Sequence, residues 1–194
     1  MSDHESNGET GEFQYKQPPQ KSINELLNSD KEDESLKLYK AKLLGQGNVI
    51  IDENNPHRVI MRSVEMQINE EGNQTVTAIK VPNNFSGGSV SDLVMNVKEG
   101  SNYQLKFKFH VQREIASGLH YKHKVKRSGI TVENEKFMMG SYAPKLELQE
   151  YLSPAEDAPT GMIHRGKYKV HSKITDDDGH VYLDWQWVLV ITKD

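Results

Sequence analysis

Residues 102–111, Asn-Tyr-Gln-Leu-Lys-Phe-Lys-Phe-His-Val, alternate without a break: Tyr103, Leu105, Phe107, Phe109 and Val111 take one parity, Lys106, Lys108 and His110 the other. Successive side chains of an extended strand point to opposite faces, so this stretch predicts a strand with one face in a core and one in water. The same alternation recurs in Val64-Met66-Ile68, Val76-Ala78, Tyr168-Val170 and the closing run Leu183-Trp185-Trp187-Leu189-Ile191. Turn pairs such as Glu99-Gly100, Ser128-Gly129 and Asp178-Gly179 punctuate the runs and imply eight or nine strands. An all-β fold follows, best fitted by an immunoglobulin-like antiparallel β-sandwich over residues 48–194, with a small closed barrel as the second fit.

Upstream of residue 48 the period changes. Residues 1–21 are polar and acidic, end in Pro18-Pro19, and bury too little apolar surface to offset the entropy of ordering, so they read as a disordered tail. Ser22 and Glu25 make a capping box ahead of Ile23, Leu26 and Leu27, and a second helix is expected from Asp33 to Leu44, with Gly45 as its C-cap. Residues 22–47 thus predict a flexible helical N-terminal arm, a helix-loop-helix too short to be stable without something to fold against.

The 194 residues suit one core plus this appendage. The net charge of −4 is unevenly spread, because residues 1–35 hold nine acidic and three basic side chains. An acidic arm on a nearly neutral body gives no footprint for nucleic acid and points to a basic protein partner. With no cysteine there is no disulfide or thiolate chemistry, and a reducing compartment is favoured. The start of the chain has no apolar signal region and no long apolar run follows, so a soluble, cytoplasmic protein is expected.

Catalytic patterns fail one by one. His120 and His123 are three apart and would face opposite sides of a strand, and the run Asp176-Asp177-Asp178-Gly179 lacks the acids a calcium loop needs, so no metal site is expected and the run reads as a solvated hairpin or a charge patch. Gly45-Gln46-Gly47 lacks the remaining glycine of a dinucleotide fingerprint, and no phosphate loop or nucleophile elbow occurs. The expectation is a non-enzyme without a cofactor.

Several segments, in order, resemble the Rho guanine-nucleotide dissociation inhibitor family. They are Tyr15-Lys16-Gln17-Pro18-Pro19-Gln20-Lys21-Ser22-Ile23, Asp33-Glu34-Ser35-Leu36, Tyr39-Lys40, Leu43-Leu44-Gly45, Lys98-Glu99-Gly100 and Arg113-Glu114-Ile115-Ala116-Ser117-Gly118-Leu119. Further along come Gly140-Ser141-Tyr142-Ala143-Pro144, Ala158-Pro159-Thr160-Gly161-Met162, Thr175-Asp176-Asp177-Asp178 and Trp185-Gln186-Trp187. The resemblance implies binding of geranylgeranylated or farnesylated Rho- and Rac-type GTPases as a heterodimer, slowed GDP release, and extraction of the GTPase from membranes with its isoprenyl group buried in the sandwich. It assigns Asp33, Ser35, Leu36, Tyr39, Leu43 and Leu44 to the GTPase switch regions. Met66, Met95, Ile115, Val170, Trp185 and Trp187, all expected on strands, would form the prenyl pocket, and Glu156, Asp157, Asp177 and Asp178 an acidic patch for a polybasic tail. Without the resemblance, the stripe would read as ordinary core and the acids as solvated turns. Val94 and Lys167 stand where some relatives carry serines, and the chain ends at Asp194 without the tryptophan-bearing tail common in the family. A general lipid carrier without control of nucleotide exchange is the alternative function, discriminated by deletion of the arm.

Overall fold

A computed structural model describes residues 49–70, 73–80 and 93–193. The predicted tail and arm, including Asp33, Ser35, Leu36, Tyr39, Leu43 and Leu44, lie outside the described residues. Those residues form ten strands and no α-helix.

One sheet runs in the order β2 (Asn73–Lys80), β1 (Val59–Glu70), β4 (Asn102–Val111), β7 (Gln149–Leu152), with the short β8 (Glu156–Asp157) also paired to β4. The other runs β3 (Val94–Lys98), β10 (Val181–Thr192), β9 (Gly166–Thr175), β5 (Ala116–Arg127), β6 (Ile130–Tyr142). Both sheets are open, so the fold is the sandwich and not the closed barrel. The expected antiparallel pairing holds in every ladder but one: β3 and β10 run parallel, Val188 opposite Val94 through Thr192 opposite Lys98. No hairpin joins these two strands, so none forces them antiparallel. Instead β3 leaves its sheet at once through the turn at Glu99 and Gly100, where Ser101 N donates to Lys98 O at 3.1 Å and Gly100 takes φ 79°, and enters β4 of the opposite sheet.

The alternation in β4 becomes the centre of the core. Phe107, Phe109 and Val111 are fully buried, and the Phe107 ring meets Tyr121 at 4.8 Å, Trp185 at 6.2 Å and Tyr151 at 6.3 Å. On the other face, Lys108 reaches Glu65 at 2.6 Å and Lys106 reaches Glu150 at 2.6 Å. Such half-solvated pairs add up to about 1 kcal/mol each, so burial of the aromatic face dominates. One polar cluster deep in the core is satisfied from within. Ser172 Oγ accepts from Trp187 Nε1 at 3.0 Å and lies 3.1 Å from Tyr121 Oη, so three buried groups from neighbouring strands satisfy one another.

Candidate functional site

At one end the two inner faces part around a cleft of about 540 Å³, within the roughly 300–1,000 Å³ typical of small-molecule sites. Its apolar walls come from the continuing stripes: Tyr103 of β4 on one side, Val125 of β5, Tyr168 of β9 and Leu189 and Ile191 of β10 on the other, with Val132 of β6 at the edge. Glu133, Glu156, Asp157, Arg127 and His164 supply the polar groups.

The strand β8 is held where it is by backbone bonds around Ala158, whose N donates to Ser101 O at 2.9 Å and whose O accepts from Gly100 N at 2.8 Å. That pairing sets Glu156 beside Tyr103 and Asp157 beside Asn102, which bind them through Tyr103 Oη at 2.6 Å and Asn102 Nδ2 at 2.9 Å. Burial pushes the Glu156 carboxyl above its ordinary value, against the Tyr103 hydrogen bond and the nearby His123. Beyond β8 the segment 159–165 forms a flap over the mouth. Its base is fixed by Glu99, which accepts from Gly161 N at 2.9 Å and takes two bonds from the Arg165 guanidinium, at 2.6 and 2.9 Å. That fork pulls the Glu99 carboxyl below its usual range. With the base fixed and a turn closed by His164 N to Gly161 O, Ile163 borders the cleft and stands 80% exposed, beside Met162 at 81%.

None of the six residues assigned to the prenyl pocket lines this cleft. Met66, Met95, Val170, Trp185 and Trp187 sit in the closed core at 0–4% exposure. Most continue its walls inward: Trp187 is two positions from Leu189, Val170 two from Tyr168, and Met66 pairs with Leu105, itself two from Tyr103. Two residues advance a strand about 7 Å on the same face. Ile115 differs from expectation in lying off the strands, in the half-buried bend before β5, where its carbonyl accepts from Arg58. The bulges at Ala116, Leu119 and His120 delay the start of regular pairing there.

The four acidic residues do not form one patch. Glu156 and Asp157 stand at the Asn102 end of β4, whereas Asp178 pairs with Arg58 at 3.2 Å, next to Val59 and its partner Val111. The eight residue steps from Tyr103 to Val111 separate the two pairs by about 26 Å. Asp177 faces His120 Nδ1 at 3.6 Å. The first aspartate of the run is not solvated: Asp176 is 5% exposed, accepting from Tyr182 Oη at 2.6 Å and from His180 N at 2.8 Å, and its turn is closed by Gly179 at φ 85°. Burial alone would raise the Asp176 carboxyl, but these bonds outweigh it and hold it below the usual range. A carboxyl lowered on folding stabilises the protein above its unfolded value, and that contribution disappears as pH falls through the folded one. Asp176→Asn is therefore expected to flatten the loss of urea resistance between about pH 5 and pH 2; an unchanged acid limb would show that Asp176 contributes nothing to it.

Sequence reasoning missed Glu133, Arg127, His164 and Ile163 because no pattern links them. Tyr103, Leu189 and Ile191 were on recognised stripes, but nothing in a stripe says which of its ends borders a cleft.

Among the described residues no helix is long and apolar enough to cross a membrane. Two groups bring three potential metal ligands within 4.8 Å, His123 with Glu133 and Glu156, and Asp176 with Asp178 and His180. In the second, Asp176 is already committed to Tyr182 and His180.

Fold and site together define a β-sandwich binding module whose two sheets open at one end into an apolar cleft with acidic groups at its mouth. A family model described as RHO protein GDP dissociation inhibitor matches residues 1–194, and the chain belongs to that family. It is 72% identical over 195 residues to the probable rho GDP-dissociation inhibitor of Caenorhabditis elegans, covering 100% of both chains. To Rho GDP-dissociation inhibitor 1 of Homo sapiens it is 39% identical over 180 residues, covering 93% of this chain and 86% of the relative. To the human Rho GDP-dissociation inhibitor 3 it is 36% identical over 183 residues, 93% and 78% of the two chains.

Proposed function

We propose that this chain slows GDP release from Rho-type GTPases and carries them, prenyl group buried, from membranes into the cytoplasm. The observation that carries the reading is the family match from residue 1 to residue 194, which takes in the arm as well as the sandwich. The two parts answer different physical needs. A prenyl chain of about twenty carbons, at roughly 0.8 kcal/mol per buried CH₂, gains on the order of 10 kcal/mol after losses, enough to compete with a bilayer. Lipid burial cannot tell one prenylated protein from another, so specificity falls to the arm. There Asp33 and Ser35 offer a carboxylate and a hydroxyl, and Leu36, Tyr39, Leu43 and Leu44 an apolar face, to the switch regions. Holding those regions in one arrangement slows nucleotide exchange without any reaction at the protein, which acts as an inhibitor and not an enzyme.

In this reading the prenyl group enters past Met162 and Ile163, fills the cleft, and presses inward between Met66, Met95, Val170, Trp185 and Trp187. The methionines, unbranched and adaptable, let the packed core part and close again. Glu156 and Asp157 meet basic residues next to the lipid, while Asp177 and Asp178, about 26 Å away along β4, face another part of the GTPase.

The test is release of fluorescent GDP from geranylgeranylated Rac or Rho on liposomes, with sedimentation of the GTPase followed in the same samples. Slowed release with the GTPase moving to the supernatant is the expected result. Extraction that survives deletion of residues 1–48 with no effect on exchange in the full chain would instead make this a lipid carrier. Absence of both effects would overturn the reading.

A further inference from the structure

At the inner edge of the cleft one imidazole stands between two carboxylates. His123 of β5 is 4% exposed, and its Nε2 lies 2.5 Å from Glu133 Oε1 of β6. Its other nitrogen, Nδ1, faces Glu156 Oε1 of β8 at 3.8 Å, and the second oxygen of Glu156 accepts the Tyr103 hydroxyl. The strands β5 and β6 belong to one sheet, β8 and β4 to the other. The contact between His123 and Glu156 therefore crosses from sheet to sheet at the cleft. A metal would need one imidazole lone pair aimed at a point shared with both carboxylates, whereas here each ring nitrogen is turned to a different one, the arrangement suited to an imidazolium.

We propose that His123, when protonated, is a clasp between the two sheets that narrows the cleft, and that loss of its proton opens the site to a prenylated, cationic segment. The inference rests on the lipid reading above and adds a control to it. Charged, the ring has a donor for each carboxylate and sets one positive charge between two negative ones. Neutral, it keeps a single donor and no charge, so one carboxylate is left facing a lone pair and the ion-pair attraction across the sheets is lost. The mouth then gains a net negative charge at the moment it loosens, and both changes favour an aliphatic chain followed by lysines.

The groups facing His123 are Glu133 and Glu135 of β6, Glu156 of β8 with the Tyr103 hydroxyl of β4 behind it, the Tyr121 ring, and the Phe137 ring 5.6 Å away. On its β9 side it pairs with Ser172, which carries no charge. Burial by itself disfavours the imidazolium, but the Glu133 hydrogen bond and the charges of Glu156, Glu133 and Glu135 outweigh it and raise His123 above its ordinary value. If cargo prefers the neutral ring, binding releases this proton, and affinity rises with pH until the ring is fully deprotonated.

The test measures the affinity of the full chain for a geranylgeranylated, lysine-rich peptide at about pH 6 and about pH 8.5, since one linked proton can change affinity by up to about tenfold per pH unit. Native protein is expected to bind at least about fivefold more weakly at the lower pH. The variant His123→Gln, neutral throughout, is expected to bind alike at both and near the native high-pH value. In the native chain, peptide binding should also shift the imidazole titration of His123, followed by NMR, to lower pH, a readout that does not depend on the variant folding. Equal native affinity at the two pH values, an unchanged pH dependence in His123→Gln, or an unmoved His123 titration would overturn the clasp while leaving lipid binding intact. A peptide that binds at neither pH would overturn the lipid reading, and the clasp with it.

Discussion

Gln112→Leu is expected to cost about 4 kcal/mol of folding stability, because one buried amide closes four backbone bonds worth about 1 kcal/mol each. Gln112 is fully buried. Its Oε1 accepts from Ile51 N at 2.9 Å and Asp52 N at 3.0 Å, and its Nε2 donates to Asn55 O at 2.8 Å and His57 O at 2.9 Å. Leucine fills similar space but leaves two donors and the His57 carbonyl without partners and the Asn55 carbonyl with only Arg113 Nη2 at 3.4 Å, and water reaching the half-buried groups sets the cost toward the lower end. The main chain adds to the same fastening, with Arg113 N donating to Val49 O at 2.8 Å from a residue at φ 67°. These bonds hold residues 49–57 against the sandwich. In urea the midpoint should fall by about 2 M for a slope near 2 kcal/mol/M. Gln112→Glu separates the parts: it keeps the acceptor for Ile51 and Asp52 but turns a carboxylate toward two carbonyls, so it should be no milder than leucine. A midpoint unmoved by either change would mean that residues 49–57 are held by something else.

Phe107→Ala should destabilise by about 3–5 kcal/mol, the range for truncating a buried aromatic residue. The ring is fully enclosed and touches Tyr121, Tyr151 and Trp185, side chains from three other strands and from both sheets, so no single neighbour can move in to fill the space. A drop of about 10 °C or more in Tm is expected for a domain of this size. The adjacent Lys108→Ala removes only half-solvated contacts, with Glu65 and, at 3.9 Å, Glu150, and should lower Tm far less. If the two variants melted together, the reading of β4 as the strand with one decisive face would fail.

The candidate site was legible in unequal parts. Glu156 and Asp157 were singled out by resemblance and do stand at the cleft, but their grouping with Asp177 and Asp178 mixed two ends of one sandwich. Nothing in the local sequence distinguishes them, since each pair is a short acidic run between longer strands. What separates them is the length of β4 lying between their partners. Trp185 and Trp187 illustrate the same limit: a period of two says that both face inward, and only the spacing of the sheets says where the interior is closed and where it is open.

By itself, the sequence determined which faces of the long strands are buried and that the body of the chain is built of strands, because side-chain parity along a strand is fixed by backbone geometry and needs no partner; that the sheets stay open as a sandwich and do not close into a barrel was left to the tertiary structure. It also carried the family, through short motifs kept in order. Only the tertiary structure decided that β3 runs parallel to β10, that Gln112 fastens residues 49–57, that Asp176 is buried, and that His123 meets a carboxylate from each sheet. Each of these joins residues distant in the chain. Their contacts depend on register, on bulges and on how far two sheets stand apart, quantities set by the packing of the whole core and not by any local run of residues.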